Sequence, residues 1–170
     1  PVLMILVVAG VVQNLNQLSA DVYHKQGQLY DRTSRYADGV VAYQRAVDLA
    51  PEQDYYALFV GRSFLELAKR ARPGGPTLLS SEYERVAGSL PRNQIDRLTR
   101  EDFLTAALIS LERAQVLRPL NTDHYANLAR LSRYWGDQAD PARLAGANLF
   151  YSQATQLSPH TAHLYSEWAL

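Results

Sequence analysis

The side chains in this sequence with the clearest potential for chemistry are its four histidines. His160 and His163 are three residues apart, a spacing that can place two imidazoles on one helix face and begin a metal site. Pro159 places both of them in a loop, however, and the 170 residues contain no Cys to complete a ligand set. We therefore expect exposed loop histidines here and no metal.

The sequence contains no motif of a nucleophile, phosphate or dinucleotide site, because G-x-S-x-G, the P-loop pattern and the glycines of a Rossmann turn are all missing. Carboxylates such as Asp21 and Asp31 have no neighbours visible in the sequence that would separate their pKa values for acid–base work. Without Cys there is also no thiolate nucleophile and no iron–sulfur cluster. The sequence predicts that this segment is not an enzyme and binds no cofactor.

Composition limits the classes of partner. A chain of this length can bury one substantial core, and its 17 basic and 17 acidic residues give a formal net charge of zero. No overall positive field is present to attract nucleic acid or an acidic membrane surface. We expect no nucleic-acid partner.

Small, aromatic and Pro residues recur with a 34-residue period, which indicates a repeat of paired helices. With residue 20 as position 1, the unit has Tyr23 at position 4, Gly27 at 8, Tyr30 at 11, Gly39 at 20, Tyr43 at 24, Ala46 at 27 and Pro51 at 32. Gly at positions 8 and 20 lets two helices cross closely, and Pro at 32 ends the second helix. Gly61 and Phe64 repeat the first-helix marks one period later.

This pattern resembles the tetratricopeptide repeat and covers residues 20–170. The resemblance implies an all-α fold, a right-handed α-solenoid of antiparallel helix pairs. The units are repeat 1 at 20–53, repeat 2 at 54–121, repeat 3 at 122–161 and a partial repeat 4 at 162–170. The predicted core residues are Tyr23, Gly27, Tyr30, Tyr43, Ala46, Gly61, Phe64, Ala107, Ala114, Tyr151 and Ala154.

Repeat 2 is interrupted by an insertion at residues 73–98. No helix crosses "PGGP" at 73–76, so the second helix of the repeat begins only after the insertion. Within the insertion, residues 80–90 could form a short helix. Thr99 and Asp102 match a capping box for the helix that follows. We expect the insertion to lie across the mouth of the groove described next or to contact a membrane part of a larger protein.

The resemblance also implies a concave groove lined by positions 2, 5, 9, 12 and 13 of each first helix. From these positions we select as candidate binding residues His24, Gln28, Tyr55, Leu58, Arg62, Leu65, Arg130, Arg133 and Tyr134. Arg62 and Arg130 share position 9, and a guanidinium group suits bidentate capture of a carboxylate. We expect the groove to bind a protein or peptide segment with an apolar anchor and an acidic group. The alternative is that each Arg is neutralised by a nearby acid, such as Glu66 beside Arg62.

The carboxylate clamp of chaperone-binding tetratricopeptide proteins is not reproduced in this sequence. Its Lys and Asn positions carry His24, Gln28 and Phe59. The resemblance therefore does not extend to binding a chaperone C-terminus.

Residues 1–12, "PVLMILVVAGVV", form an unbroken apolar run. As a helix they would be about 18 Å long, short of a hydrocarbon core of about 30 Å. We interpret residues 1–14 as the end of a transmembrane helix, which makes the membrane a partner through residues 1–12. Residues 13–22 carry no Lys or Arg, which favours placing the repeats on the extracytoplasmic side. The alternative is a soluble adaptor in which residues 1–12 fold onto repeat 1 as a cap.

A narrower resemblance joins this apolar run to "ADVYHKQG", "YYALFVGRSFLELAK" and "PLNTDHYANLARL". Together they resemble the extracytoplasmic repeat region of bacterial O-antigen ligase-like (O-antigen polymerase-type) membrane proteins, whose membrane part carries glycan transfer. Our leading hypothesis is a membrane-anchored interaction and scaffold module of a larger bacterial membrane protein or complex. The alternative is the accessory domain of such a glycan ligase or polymerase, positioning substrate or partner.

Overall fold

A computed structural model describes residues 2–74, 77–79, 83 and 88–169, and these residues form eight helices and no strand. The helices are α1 (Val2–Arg32), α2 (Tyr36–Leu49), α3 (Asp54–Arg70), α4 (Arg92–Ile95), α5 (Arg100–Leu117), α6 (Thr122–Gln138), α7 (Arg143–Leu157) and α8 (Ala162–Trp168). The prediction of an all-α solenoid is confirmed. Most of the predicted helix at 80–90 falls outside the described residues.

The helices pack as antiparallel pairs, α1 with α2, α3 with α5 and α6 with α7. Small residues lie where the partners cross. A Cβ on Gly27 would overlap the Tyr43 ring, and a Cβ on Gly39 would lie 2.7 Å from Oδ1 of Asp31 on α1. A Cβ on Gly61 would lie 2.6 Å from Cγ of Leu111. These distances explain why the repeat pattern requires small residues at the crossings.

Most of the predicted core residues are buried, including Tyr43, Phe64, Ala107 and Ala154, each with 0% exposure. Tyr23 is the main exception, because 38% of it is exposed. It lies in an open cleft that residues of α2 and α4 also line. Its prediction as a core residue is wrong, and Tyr30 beside it is only partly buried.

Hydrogen bonds to carboxylates connect successive repeats. Asp21 on α1 accepts bonds from the hydroxyls of Tyr55 and Tyr56 on α3, at 2.9 and 2.7 Å. Asp54 at the start of α3 lies 2.7 Å from Nε2 of His124 on α6, and the imidazole is completely buried. These bonds hold α1, α3 and α6 side by side.

The insertion returns along α2. The Leu90 amide donates to Oε1 of Gln44 at 3.0 Å, and the Ser89 hydroxyl donates to the Asp48 carboxylate. The side chains buried by this contact are Leu79, Tyr83, Leu90, Ile95 and Leu98. None of the described insertion residues lines the groove formed by α1, α3 and α6. The prediction that the insertion crosses the groove mouth is therefore wrong for the described part, because its apolar side chains pack against second helices.

Asp102 secures both the insertion and the start of α5. The predicted capping box with Thr99 is present, since the Thr99 side chain accepts from the Asp102 amide and the Asp102 carboxylate accepts from the Thr99 amide. The other carboxylate oxygen accepts bonds from the amides of Leu78 and Leu79, at 2.9 and 3.2 Å. The buried Asp102 side chain thus holds the beginning of the insertion next to the start of α5.

The first half of α1 projects from one end of the array. Gln17 is level with that end, because its side-chain oxygen lies 3.4 Å from Nε2 of Gln53 in the α2–α3 turn. The residues before Gln17 extend about 22 Å beyond it, and Met4, Val7 and Val11 are exposed. These three exposed side chains do not pack onto repeat 1, as the cap alternative would require. Among the described residues, no helix combines the length and apolarity needed to cross a membrane.

Candidate functional site

The first helices of the three repeats line an open groove with a cavity of about 700 Å³. Its walls come from α1, α3 and α6, with Tyr36 from the start of α2 at one edge. The lining residues are Asp31, Arg32, Tyr36, Arg62, Ser63, Leu65, Glu66, Lys69, Asn127 and Arg130. Three of the residues predicted from the sequence, Arg62, Leu65 and Arg130, are among them.

Two guanidinium groups in the groove are available to a ligand. Arg32 and Arg62 are exposed, and neither forms an ion pair with any acid in the part of the chain that the structure describes. The Arg62 guanidinium lies 5.0 Å from the centre of the Phe59 ring, a contact that orients it without neutralising it. Arg32 was not selected from the sequence.

Glu66 does not neutralise Arg62. Its carboxylate accepts instead from Lys69 at 2.6 Å and from Arg70 at 3.1 Å, one turn further along α3. The alternative in which Glu66 pairs with Arg62 is therefore wrong. The cause is helix geometry, because two cations at the next three and four positions reach the same carboxylate.

Arg130 is occupied by an acid from the end of the chain. Nε and Nη2 of Arg130 donate to the two carboxylate oxygens of Glu167 on α8, at 2.7 and 2.9 Å. Nη1 of Arg133 donates to the backbone oxygen of Glu167 at 2.6 Å. Bonding from Arg130 holds the pKa of the Glu167 carboxyl below its usual value. The sequence pattern gave no signal for this pair, because the two residues are 37 positions apart.

Asp31 forms the polar floor of the groove between α1 and α3. It accepts hydrogen bonds from the Tyr43 hydroxyl at 2.8 Å and from the Ser63 hydroxyl at 3.0 Å. Burial raises the pKa of Asp31 even though both hydrogen bonds and the nearby Arg62 favour its ionised form. The groove therefore holds one desolvated acid beside two available cations.

Two predicted groove residues lie in the core. Only 6% of His24 and 7% of Leu58 is exposed. The His24 imidazole is enclosed by the rings of Tyr43, Tyr55, Tyr56 and Phe59, at centroid distances of 4.7 to 5.4 Å. Burial lowers the pKa of His24. The sequence interpretation placed both residues on the groove wall. That prediction is wrong, because these faces of α1 and α3 turn toward aromatic and aliphatic neighbours.

The remaining selected residues surround the groove without forming its floor. Nε2 of Gln28 lies 3.0 Å from Nε2 of His24, and the Tyr55 hydroxyl bonds to Asp21. Tyr134 is half-buried against the core. Whether these three residues contact a ligand stays a prediction. Asn127, which the sequence did not indicate, lines the groove beside Arg130.

The structure offers no arrangement for metal chemistry within its described ranges, because no three His, Asp or Glu side chains converge there. His160 lies in the α7–α8 turn and His163 on the first turn of α8, and both are exposed. The groove presents guanidinium groups that can form charge-assisted hydrogen bonds.

Solved structures place this architecture among tetratricopeptide domains. The chain is similar to the first tetratricopeptide domain of Spaghetti (RPAP3), solved with the HSP90 peptide SRMEEVD, with a TM-score of 0.62 and 13% identity over 90% of this chain and 92% of that one. It is equally similar to the tetratricopeptide domain of Arabidopsis OM64, with a TM-score of 0.62 and 14% identity over 89% and 92% of the two chains. No family model and no curated protein matches the sequence. These likenesses establish the fold.

Proposed function

We propose that this segment is a non-catalytic interaction module that binds a peptide or protein segment in the groove formed by α1, α3 and α6. The proposal is supported by the exposed guanidinium groups of Arg32 and Arg62, neither of which forms an ion pair in the described part of the chain. Repeat arrays bind extended segments along such a face, and a few anchor residues supply most of the affinity.

The chemistry of the groove favours an acidic segment with an apolar anchor. A guanidinium group binds a carboxylate through two parallel hydrogen bonds, which adds both strength and orientation. Arg32 and Arg62 bring positive charge to the cavity, whereas Lys69 is paired with Glu66. Leu65 lines the cavity but is only 7% exposed, so it offers a small apolar contact. A neutral glycan would leave the guanidinium groups without a charged partner.

A peptide-bound relative of similar fold supports a peptide as the class of ligand, since the Spaghetti domain was solved with a segment of HSP90. The mode of binding proposed here differs from the chaperone clamp. The clamp positions carry His24, Gln28 and Phe59, and His24 is buried among aromatic rings. We expect the acidic group to bind instead at Arg32 and Arg62.

We further propose that residues 1–12 anchor the module to a membrane, with the repeats on the extracytoplasmic side of a larger bacterial membrane protein or complex. The exposure of Met4, Val7 and Val11 on a helix that projects from the array supports this anchoring. The absence of Lys and Arg from residues 13–22 supports the proposed side. An accessory role in an O-antigen ligase-like enzyme remains the alternative, and it rests on sequence resemblance alone.

Selection from a random peptide library tests the proposed function directly. Purified protein in detergent would be presented with displayed peptides, and the bound peptides would be sequenced. We expect enrichment of Asp or Glu next to a large apolar residue, and competition between the selected peptides for one site. Selected peptides without acidic residues would contradict the proposed chemistry, and the absence of any enriched sequence would contradict a peptide-binding groove.

A further inference from the structure

We infer that the end of the array from which α1 projects lies against the lipid surface, with Val116, Leu120 and Arg118 as its membrane contacts. This end, called the α1 pole, consists of the turns at 50–53, 118–121 and 158–161. The inference rests on the proposed anchoring by residues 1–12. It adds a second, independent contact between the folded repeats and the bilayer.

The three turns lie at the same end as the point where α1 leaves the array. Gln17 of α1 contacts Gln53 in the first turn. The Asn121 side chain in the second turn donates to Asp54 at 3.2 Å, next to that same turn. Tyr125 links the second and third turns, since its hydroxyl donates to the Pro119 carbonyl at 2.8 Å and its ring packs against Ala154 and Leu164, which flank the third turn.

The apolar side chains at this pole are unusually exposed. Leu120 is 81% exposed, Val116 75% and Met4 on the projecting part of α1 74%, and no other large apolar side chain among the described residues exceeds 65%. Two of these three belong to the folded repeats and one to the projecting helix. Side chains this exposed bury little apolar surface in the fold, and lipid is the apolar phase that the neighbouring helix is proposed to enter.

Arg118 supplies the charge that an anionic headgroup requires. Its side chain is 65% exposed, and its only ion contact in the described structure is 3.9 Å from Asp54. It lies between Val116 and Leu120 in sequence and directly beside the exposed Leu120. Basic side chains flanking exposed apolar residues are typical of segments that rest at the headgroup level.

The short turns of the opposite pole differ in composition, although Leu29 in the last turn of α1 is 59% exposed there and Leu78 in the insertion 47%. The turns at 33–35 and 139–142 read "TSR" and "ADPA", and neither contains a large apolar residue. If the α1 pole contacts the bilayer, these two turns lie on the side of the array that faces away from it. Ser34, which is exposed, marks the far end.

Depth-dependent quenching tests this orientation, and the chain suits it because it contains no native Cys. Single-cysteine variants Leu120→Cys, Val11→Cys and Ser34→Cys would carry an environment-sensitive dye. Each full chain would be added to vesicles of phosphatidylethanolamine and phosphatidylglycerol that contain a doxyl-labelled lipid. We expect loss of fluorescence and a blue shift for the dyes at positions 11 and 120, with no change at position 34.

The three dyes separate the inference from the anchoring on which it rests. Quenching at position 11 without quenching at 120 would overturn the inference and leave the anchoring in place. No quenching at position 11 would contradict the anchoring, whereas equal quenching at all three positions would show a chain lying flat and overturn the orientation. In the Leu120→Cys chain, adding Arg118→Glu should reduce the quenching on anionic vesicles only, and unchanged quenching would remove Arg118 from the contact.

Discussion

The carboxylate of Glu167 binds the guanidinium of Arg130 through two parallel hydrogen bonds of 2.7 and 2.9 Å, and so places α8 at one end of the groove. This is the geometry that an acidic ligand would use on the same side chain. The end of the described chain therefore occupies one of the three groove arginines, while Arg32 and Arg62 remain available.

Replacing Glu167 with Gln should increase the affinity for acidic peptides, because a neutral amide cannot hold both donors of Arg130 and leaves its charge for the ligand. Fluorescence polarisation with a labelled peptide from the library selection would measure this. The stability loss should be about 1 kcal/mol or less, since both side chains are a third exposed to solvent. Glu52→Gln, which changes the same charge on an exposed turn, is the control, and equal affinities for the two variants would contradict an internal competitor.

Asp31→Asn should stabilise the fold at neutral pH. Burial raises the pKa of Asp31, so ionisation is less favourable in the folded chain than in the unfolded one. The resulting stability is complete below the ordinary value of 3.8 and is lost as the pH rises through the folded pKa. The Asn side chain can still accept a bond from Tyr43 or Ser63 but cannot ionise. Denaturant unfolding across pH 3 to 7 would test this, and a variant less stable than wild type at pH 7 would contradict it.

His24 should make the fold less stable in mild acid. Burial lowers its pKa in the folded state, so below the ordinary value of 6.5 the unfolded chain binds more protons. Stability is therefore complete above this value and falls with the pH until the folded pKa is reached. We expect His24→Leu to flatten the pH dependence of unfolding in this window, and the exposed His160→Leu is the control for the same substitution outside the core. An equal slope in wild type and His24→Leu would show that other groups cause the dependence.

Gly61→Ala should destabilise the chain by roughly 1 to 3 kcal/mol, the usual range for an overpacked core. The new methyl would lie 2.6 Å from the Leu111 side chain and 3.1 Å from the Ala107 carbonyl oxygen, and the backbone atom cannot rotate away. Gly146→Ala is the matched control, because its Cβ would meet only Ser132 at 3.9 Å. There the better helix propensity of Ala should add up to about 1 kcal/mol. Equal thermal shifts for the two variants would contradict close crossing at Gly61.

The helix pairs and a part of the groove could be predicted from sequence because local periodicity specifies them. Gly27, Gly39 and Gly61 mark helix crossings at fixed spacing, and the same register places Arg62 and Leu65 on the groove. These features depend on which face of one helix meets its immediate partner.

Other features depend on contacts that no spacing encodes. The bond of Glu167 to Arg130 joins residues 37 positions apart, and the insertion follows α2 without any periodic signal. His24 and Leu58 sit at nominal groove positions but are buried, since the aromatic side chains of α3 fill the space between the first helices. These aromatic side chains determine which of the candidate groove positions are exposed to solvent.

We propose that Arg32 and Arg62 bind the acidic group of a peptide in the groove, and reversing the charge of both residues tests this claim. Isothermal titration would compare wild type with Arg32→Glu/Arg62→Glu and with the control Arg45→Glu/Arg97→Glu, using one selected acidic peptide. Arg45 and Arg97 are also exposed but lie outside the groove, so both double variants change the net charge equally. We predict a loss of affinity of about tenfold or more for the groove variant alone, the effect of removing charge-assisted hydrogen bonds. Equal affinity in the two double variants would contradict the claim.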